Sequence, residues 1–174
     1  KNGAVIALRN PYTNGNAWFV ENLLMVETAD AEITQLDSIN TKKTAIVHKE
    51  FLPYLPIADI QRDSTATINL VEHKPNHLVY ETASTSEQLA VFSEIYYPKG
   101  WNAYIDGKPA THIRVNYLLR ALKIPAGYTK IEFKFEPAVV KTGSTIALYS
   151  SVIFLLFIIT TLIYTYKKRQ LTTL

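Results

Sequence analysis

The sequence predicts a mostly β chain: an antiparallel β-sandwich of jelly-roll type with one short helix, followed by a single C-terminal transmembrane helix. Three observations carry that expectation. Roughly nine short runs rich in β-branched and aromatic residues are separated by turn signals about every 8–12 residues, the spacing of a sandwich. Ahead of residue 140 only one stretch, Ala31 to Leu36, has the cap and the composition of a helix. Ile146 to Tyr166 (IALYSSVIFLLFIITTLIYTY) contains no Asp, Glu, Lys, Arg, Pro or Gly. A hydrocarbon core of about 30 Å is crossed by roughly 20 helical residues, because each backbone polar group there must be bonded inside the segment.

Gly3 to Leu8 reads as a short strand that runs into the turn-rich Asn10 to Asn16. Ala17 to Val26 resumes the apolar pattern as one strand. Thr28 or Asp30 then caps the helix, since a side-chain oxygen there satisfies an otherwise unbonded amide. Thr44 to His48 is a β-branched strand, followed by a loop marked by Pro53 and Pro56. Thr65 to Val71 and His77 to Thr82 flank Lys74-Pro75-Asn76 as the arms of a hairpin. Leu89 to Tyr97 is largely apolar on both faces, which places it in the middle of a sheet. Trp101 to Ile105 and Pro109 to Val115 surround Asp106-Gly107, a hairpin turn whose two positions want positive φ. Leu118 to Ile124 and Thr129 to Phe135 surround Pro125-Ala126-Gly127 in the same manner. In the second of these Ile131, Phe133 and Phe135 alternate with Lys130, Glu132 and Lys134, one face for the core and one for water.

The flanks orient the apolar segment. Lys167, Lys168 and Arg169 follow it directly, whereas Lys141 alone stands near its other end. The positive-inside rule puts the tail in the cytoplasm and the preceding residues outside, and Tyr149, Tyr164 and Tyr166 sit where rings favour the headgroup layer. The expected organisation is an extracytoplasmic sandwich over residues 1–140, a linker and transmembrane helix over 141–166, and a basic cytoplasmic tail over 167–174. The tail holds three of the 18 Lys and Arg and none of the 15 Asp and Glu, so the formal charge of +3 belongs to it. A neutral domain has no general attraction for phosphate backbones, and no nucleic-acid partner is expected.

There is no cysteine, which excludes disulfides, thiolate metal sites and cysteine nucleophiles. The chain starts at Lys1 with no leader pattern. It is therefore expected to be the end of a longer protein, whose upstream part carries membrane spans and brings this domain across the bilayer.

Between Ser93 and Pro137 the order of motifs (SEIYYPKGWNAYIDGKPATHIRVNYLLRALKIPAGYTKIEFKFEP) resembles the C-terminal region of the bacterial YfhO family. Its densest part is YYP-x-GW-x-AY-x-DG-K followed by R-x-x-x-(I/V)-PAG. Asn14 to Val20, the acidic helix and the Thr44 to Val47 strand also resemble that family, so the likeness covers nearly the whole chain. What the resemblance implies is a polytopic protein of the bacterial cytoplasmic membrane, glycosyltransferase-like, of the class that takes sugars from polyprenyl-phosphate carriers at the outer face. Its membrane-embedded portion would carry the catalytic acids, and this chain would be an accessory module with its anchor. The competing expectation is a membrane-tethered carbohydrate-binding or assembly module with no enzymatic parent.

Each candidate site residue also has a plainer structural role. The carbohydrate-binding candidates are Tyr96, Tyr97, Trp101 and Tyr104, because a flat ring covers the C–H face of a sugar; the plainer role is core filling. Glu94 is expected to be buried and ion-paired with Arg120, with Arg114 as the alternative, since a lone buried charge is costly. Asp106 and Gly107 are assigned to the hairpin turn. No catalytic residue is assigned: there is no Gly-x-Ser-x-Gly elbow and no Gly-rich phosphate loop, and a Glu94–Asp106 carboxylate pair is less plausible than their structural roles. No metal or cofactor is expected, because His48, His73, His77 and His112 lack ligand spacing and Pro75 separates the closest two. The expected partners are the lipid bilayer, the upstream transmembrane part, and a glycan or lipid-linked sugar.

Overall fold

The computed structural model describes residues 10–55 and 62–171. The strand expected over Gly3 to Leu8, and Pro56, fall outside these. The chain divides into two compact units, Lys1–Glu136 and Pro137–Leu174.

In the first unit, β1 (Ala17–Val20) and β2 (Asn22–Val26) are two strands where one was expected. The break is at Glu21, where the Glu21 and Asn22 amides both donate to the Lys43 carbonyl and turn the chain out of β1. Helix α1 (Ala29–Gln35) follows, capped by the Thr28 hydroxyl, which accepts from the Ala31 amide at 3.2 Å. Then come β3 (Thr44–His48) and a 3₁₀ turn over Lys49–Tyr54. Next are β4 (Thr67–Lys74), β5 (His77–Ser84), β6 (Gln88–Ile95) and β7 (Trp101–Ile105). The unit ends with β8 (Lys108–Ala110), β9 (Ile113–Val115), β10 (Leu119–Ile124) and β11 (Gly127–Phe135).

The fold is an antiparallel sandwich. One sheet has the order β1-β6-β10-β9 and the other β4-β5-β11-β7-β8. Between them Leu78, Tyr80, Phe92, Leu122, Ile131 and Phe133 form one core. The other face of the four-stranded sheet is also buried, with Val20, Leu89, Val91, Ile113 and Ala121 packed on Ala45, Val47 and Leu55. The cover there is β2 and β3, a parallel pair joined through α1. Two apolar faces explain why β6 is buried at every position from Gln88 to Phe92.

Two hairpin expectations need correction. The segment Pro109 to Val115 is two strands, because the chain leaves the five-stranded sheet after Ala110 and enters the four-stranded sheet at Ile113. The strands on either side of Pro125-Ala126 do not pair with each other: β10 pairs with β6 and β9, β11 with β5 and β7. Both turns are crossings between sheets, each needed once a sandwich replaces a single meander. Asp106 (φ 48°) and Gly107 (φ 78°) adopt the left-handed backbone of a tight hairpin turn between β7 and β8.

One polar contact holds the covering layer. Glu32 is fully buried on α1, at the position where an amphipathic helix would carry an apolar residue, while Ile33 is exposed. Its carboxylate lies 3.2 Å from Arg114 Nη2 and accepts from the Tyr117 amide at 2.8 Å. Asn116, buried with φ 50°, completes the seam by accepting from the Ile46 amide and donating its own amide to the Ile46 carbonyl.

In the second unit, α2 (Ala138–Leu171) is one continuous helix of 34 residues, long and apolar enough to cross a membrane. The residues from Lys141 expected as a linker are its first turns. Hydroxyls within it are bonded locally: Ser151 donates to the Ala147 carbonyl and Thr161 to that of Phe157, both at 2.8 Å. Such back-bonding lets polar side chains sit in hydrocarbon.

Removing the Glu32 carboxylate leaves the Tyr117 amide without its acceptor and leaves Arg114 with only the exposed Glu50 carboxylate, 3.6 Å away. Glu32→Ala is expected to lower the stability of the β domain by about 3 kcal/mol, read as a shifted midpoint in chemical denaturation. The exposed control Ile33→Ala is expected to leave it nearly unchanged.

Candidate functional site: an aromatic cleft at the β7–β8 edge

The local chain builds the cleft in three steps. β6 ends at Ile95, and Tyr96 to Gly100 carry the chain across to β7, with the Trp101 amide donating to the Tyr97 carbonyl. Gly100 is buried, and a Cβ there would fall 2.3 Å from the Phe135 ring, so any other residue would push that ring from its place 5.4 Å from Trp101. β7 and β8 then form the edge of the five-stranded sheet, and the crossing at Thr111-His112 closes the far side. The result is a cleft of about 460 Å³ lined by Tyr96, Pro98, Trp101, Tyr104, Pro109 and His112, among others.

Three of the four sequence-derived aromatic candidates therefore meet in one cleft. Tyr97 is not among the lining residues; it is about half exposed beside it. The Tyr104 hydroxyl donates to Glu136 Oε2 at 2.7 Å, which raises its pKa, and Lys134 Nζ stands 4.9 Å from its ring centre. The Tyr96 ring packs edge-on against Phe51 at 5.6 Å and His112 at 5.2 Å.

Trp101 is held from behind. The Arg120 guanidinium carbon lies 4.4 Å from its ring centre and 5.1 Å from that of Phe133, a cation–π sandwich inside the core. Arg120 is 1 % exposed, its Nε donates to the Ile95 carbonyl at 2.8 Å, and burial lowers its pKa.

The expected Glu94–Arg120 ion pair is not made. No carboxylate lies within 4.0 Å of Arg120 among the described residues, and Glu94, only partly buried, faces His73 Nε2 at 4.0 Å. A β-bulge is the reason. Leu119 pairs with Ile95, but Arg120 pairs with Phe92, so Ser93 and Glu94 are skipped and Arg120 turns into the core beside Phe92. Glu94 still acts on Arg120 through its field. The alternative partner, Arg114, takes Glu32. Asp106 accepts from the Lys130 amide at 2.9 Å and belongs to the other sheet from Glu94.

His112 was missed as a site residue. It lines the cleft, its Nε2 is buried without a hydrogen-bond partner, and burial, reinforced by the Arg120 charge, lowers its pKa to about 4. Its ring is therefore neutral at physiological pH. Only its place between two short strands could have signalled this, and that place follows from the sheet crossing. Among the described residues no three His, Cys, Asp or Glu side chains gather into a metal-binding group.

Residues 39–147 match the model of a family described as bacterial membrane protein YfhO. The chain belongs to the YfhO family. No curated protein and no solved structure matches it. The family match spans β3 to the first turns of α2 and includes every residue named above as lining the cleft. With α2, it makes this chain a YfhO-family membrane protein with a C-terminal apolar helix.

The neutral His112 gives a stability signature. Its pKa is lower in the folded than in the unfolded chain, so between pH about 6.5 and about 4 the unfolded state binds the extra proton. Stability at this site is full above that window and is lost as the pH falls through it. His112→Phe, which keeps the ring contacts and cannot titrate, is expected to flatten that part of the stability-versus-pH curve.

Proposed function

We propose that this β domain is an accessory extracytoplasmic module, anchored by α2, of a polytopic glycosyltransferase-like protein that modifies glycans or glycolipids of the cell envelope. In this reading the catalytic acids belong to a membrane-embedded portion upstream, and the domain binds rather than reacts. Residues 167–174 lie in the cytoplasm and the domain on the outer side of the bacterial cytoplasmic membrane, as the basic cluster after the apolar segment supports. The glycan or the sugar of a lipid-linked carrier is the ligand.

The observation that carries the binding role is the cleft itself. Tyr96, Trp101 and Tyr104 line one concavity of about 460 Å³, within the size range of small-molecule sites. An indole fixed by a guanidinium from behind presents a rigid apolar surface, and rigid aromatic area is what a sugar ring covers at low entropic cost. Tyr104 and Asn102 donate to Glu136 but keep their oxygens as acceptors for sugar hydroxyls at the rim, and no Asp, Glu, Lys or Arg lines the cleft among the described residues. Neutral sugars suit it best.

Two measurements test the reading. Trp101→Ala in the full chain is expected to weaken binding of the cognate glycan by about tenfold or more, as loss of a central aromatic anchor does; unchanged affinity rejects the cleft. A cytoplasmic reporter fused after Leu174 is expected to be active and an export-dependent one silent. The opposite pattern rejects the orientation.

A further inference from the structure

The sandwich has a second open edge. There β1 ends the four-stranded sheet and β4 ends the five-stranded sheet, and a cleft of about 440 Å³ lies against both strands. Its lining includes Asn14, Trp18, Lys42, Arg62, Thr67 and Asn69. We propose that this cleft is a second saccharide site, taking a neutral hexose unit that offers adjacent hydroxyl groups.

Adjacent hydroxyls are each donor and acceptor, and they are matched by amide, guanidinium and ammonium groups set around an aromatic ring. Asn69 and the Lys42 ammonium make no side-chain hydrogen bond among the described residues, so their capacity faces the cleft. Asn14 spends its Nδ2 on the Thr41 hydroxyl at 3.0 Å and keeps its carbonyl oxygen. The ring of Trp18 is fixed by its Nε1, which donates to the Thr41 carbonyl at 2.8 Å.

Charge selects a neutral ligand. Arg62 is ion-paired with Glu21, and among the described lining residues the other charges are one cation, Lys42, and one anion, Asp63. Asp63 accepts from the amide and hydroxyl of both Thr65 and Thr85, at 2.6–2.8 Å, which ties the loop that carries Arg62 and Ser64 to the β5–β6 connection. Those four bonds hold its carboxyl well below the usual carboxylate range, so it stays ionised and the cleft stays balanced. The site shares no residue with the Trp101 cleft and is independent of it.

The chain has two tryptophans, one in each cleft, so two indole N–H signals report the two sites separately. The full chain, labelled at tryptophan and held in detergent micelles, is titrated with short oligosaccharides of glucose, galactose, mannose and N-acetylglucosamine. The expected result is that a member of the set shifts the Trp18 signal saturably. Asn69→Ala and Lys42→Ala, both at exposed positions, are expected to weaken that response about tenfold without altering the Trp101 response. A Trp18 signal unmoved by the whole set, or moved with unchanged affinity in both variants, overturns the proposal. So does tighter binding of a glucuronate oligomer than of every neutral one. Movement of the Trp101 signal alone upholds the first cleft and overturns the second, and movement of the Trp18 signal alone does the reverse.

Discussion

A four-stranded sheet with apolar side chains on both faces is the constraint from which the rest of the domain follows. Each face needs a cover, because exposed apolar area of that size would leave the sheet unstable in water. The five-stranded sheet covers one face and is itself half wet, as its alternating β4 and β11 require. The other face is covered by β2, α1 and β3, a βαβ unit inserted after β1. An antiparallel hairpin would have had to turn back on itself at Val26. A parallel pair instead needs a crossover, and α1 supplies one that also brings a carboxylate to the seam.

That seam is polar where a sandwich core would be apolar. Glu32, Arg114, the Tyr117 amide and Asn116 satisfy one another across it, and Asn116 and Tyr117 both hold positive φ to do so. Non-glycine residues in that region cost of order 1–3 kcal/mol each, so the surrounding bonds must over-determine the turn. The geometry has a second consequence. With Arg114 committed to Glu32, Arg120 is left without a carboxylate, and the bulge at Ser93–Glu94 points it between two aromatic rings instead. A guanidinium stacked in this way keeps part of its electrostatic compensation and packs against one face of Trp101.

The sequence was informative wherever one chain segment decides the outcome. The period-two strands, the Thr28 cap, the Asp106-Gly107 turn, the burial of β6 and the apolar helix are local or nearly local properties. The cleft was legible in part, since Tyr96, Trp101 and Tyr104 lie close in the chain. What was not legible depends on partners distant in sequence. Glu32 looks like an ordinary exposed helix acid until Arg114 is placed beside it, 82 residues later. The Glu94–Arg120 expectation assumed regular register, and a single bulge moves every downstream neighbour by more than one residue. Trp18 could be seen as an aromatic residue near a turn, but its cleft exists only because β1 and β4 end up on the same edge.

Placement of both clefts at edges follows from what the faces are used for. The two inner faces and the outer face of the four-stranded sheet are filled. The remaining one, outside the five-stranded sheet, carries a polar network in which Lys134 pairs with Glu132, His77 Nε2 lies within hydrogen-bond distance of Glu132, and Lys74 pairs with Glu72. The lysines of these pairs are exposed, so each pair adds little stability, about 0–1 kcal/mol, but together they keep the face polar. The two clefts lie at the edges of the sheets, where the edge strands also leave backbone groups unpaired. With three faces filled, side chains with spare hydrogen-bonding capacity gather at the two margins where both clefts lie.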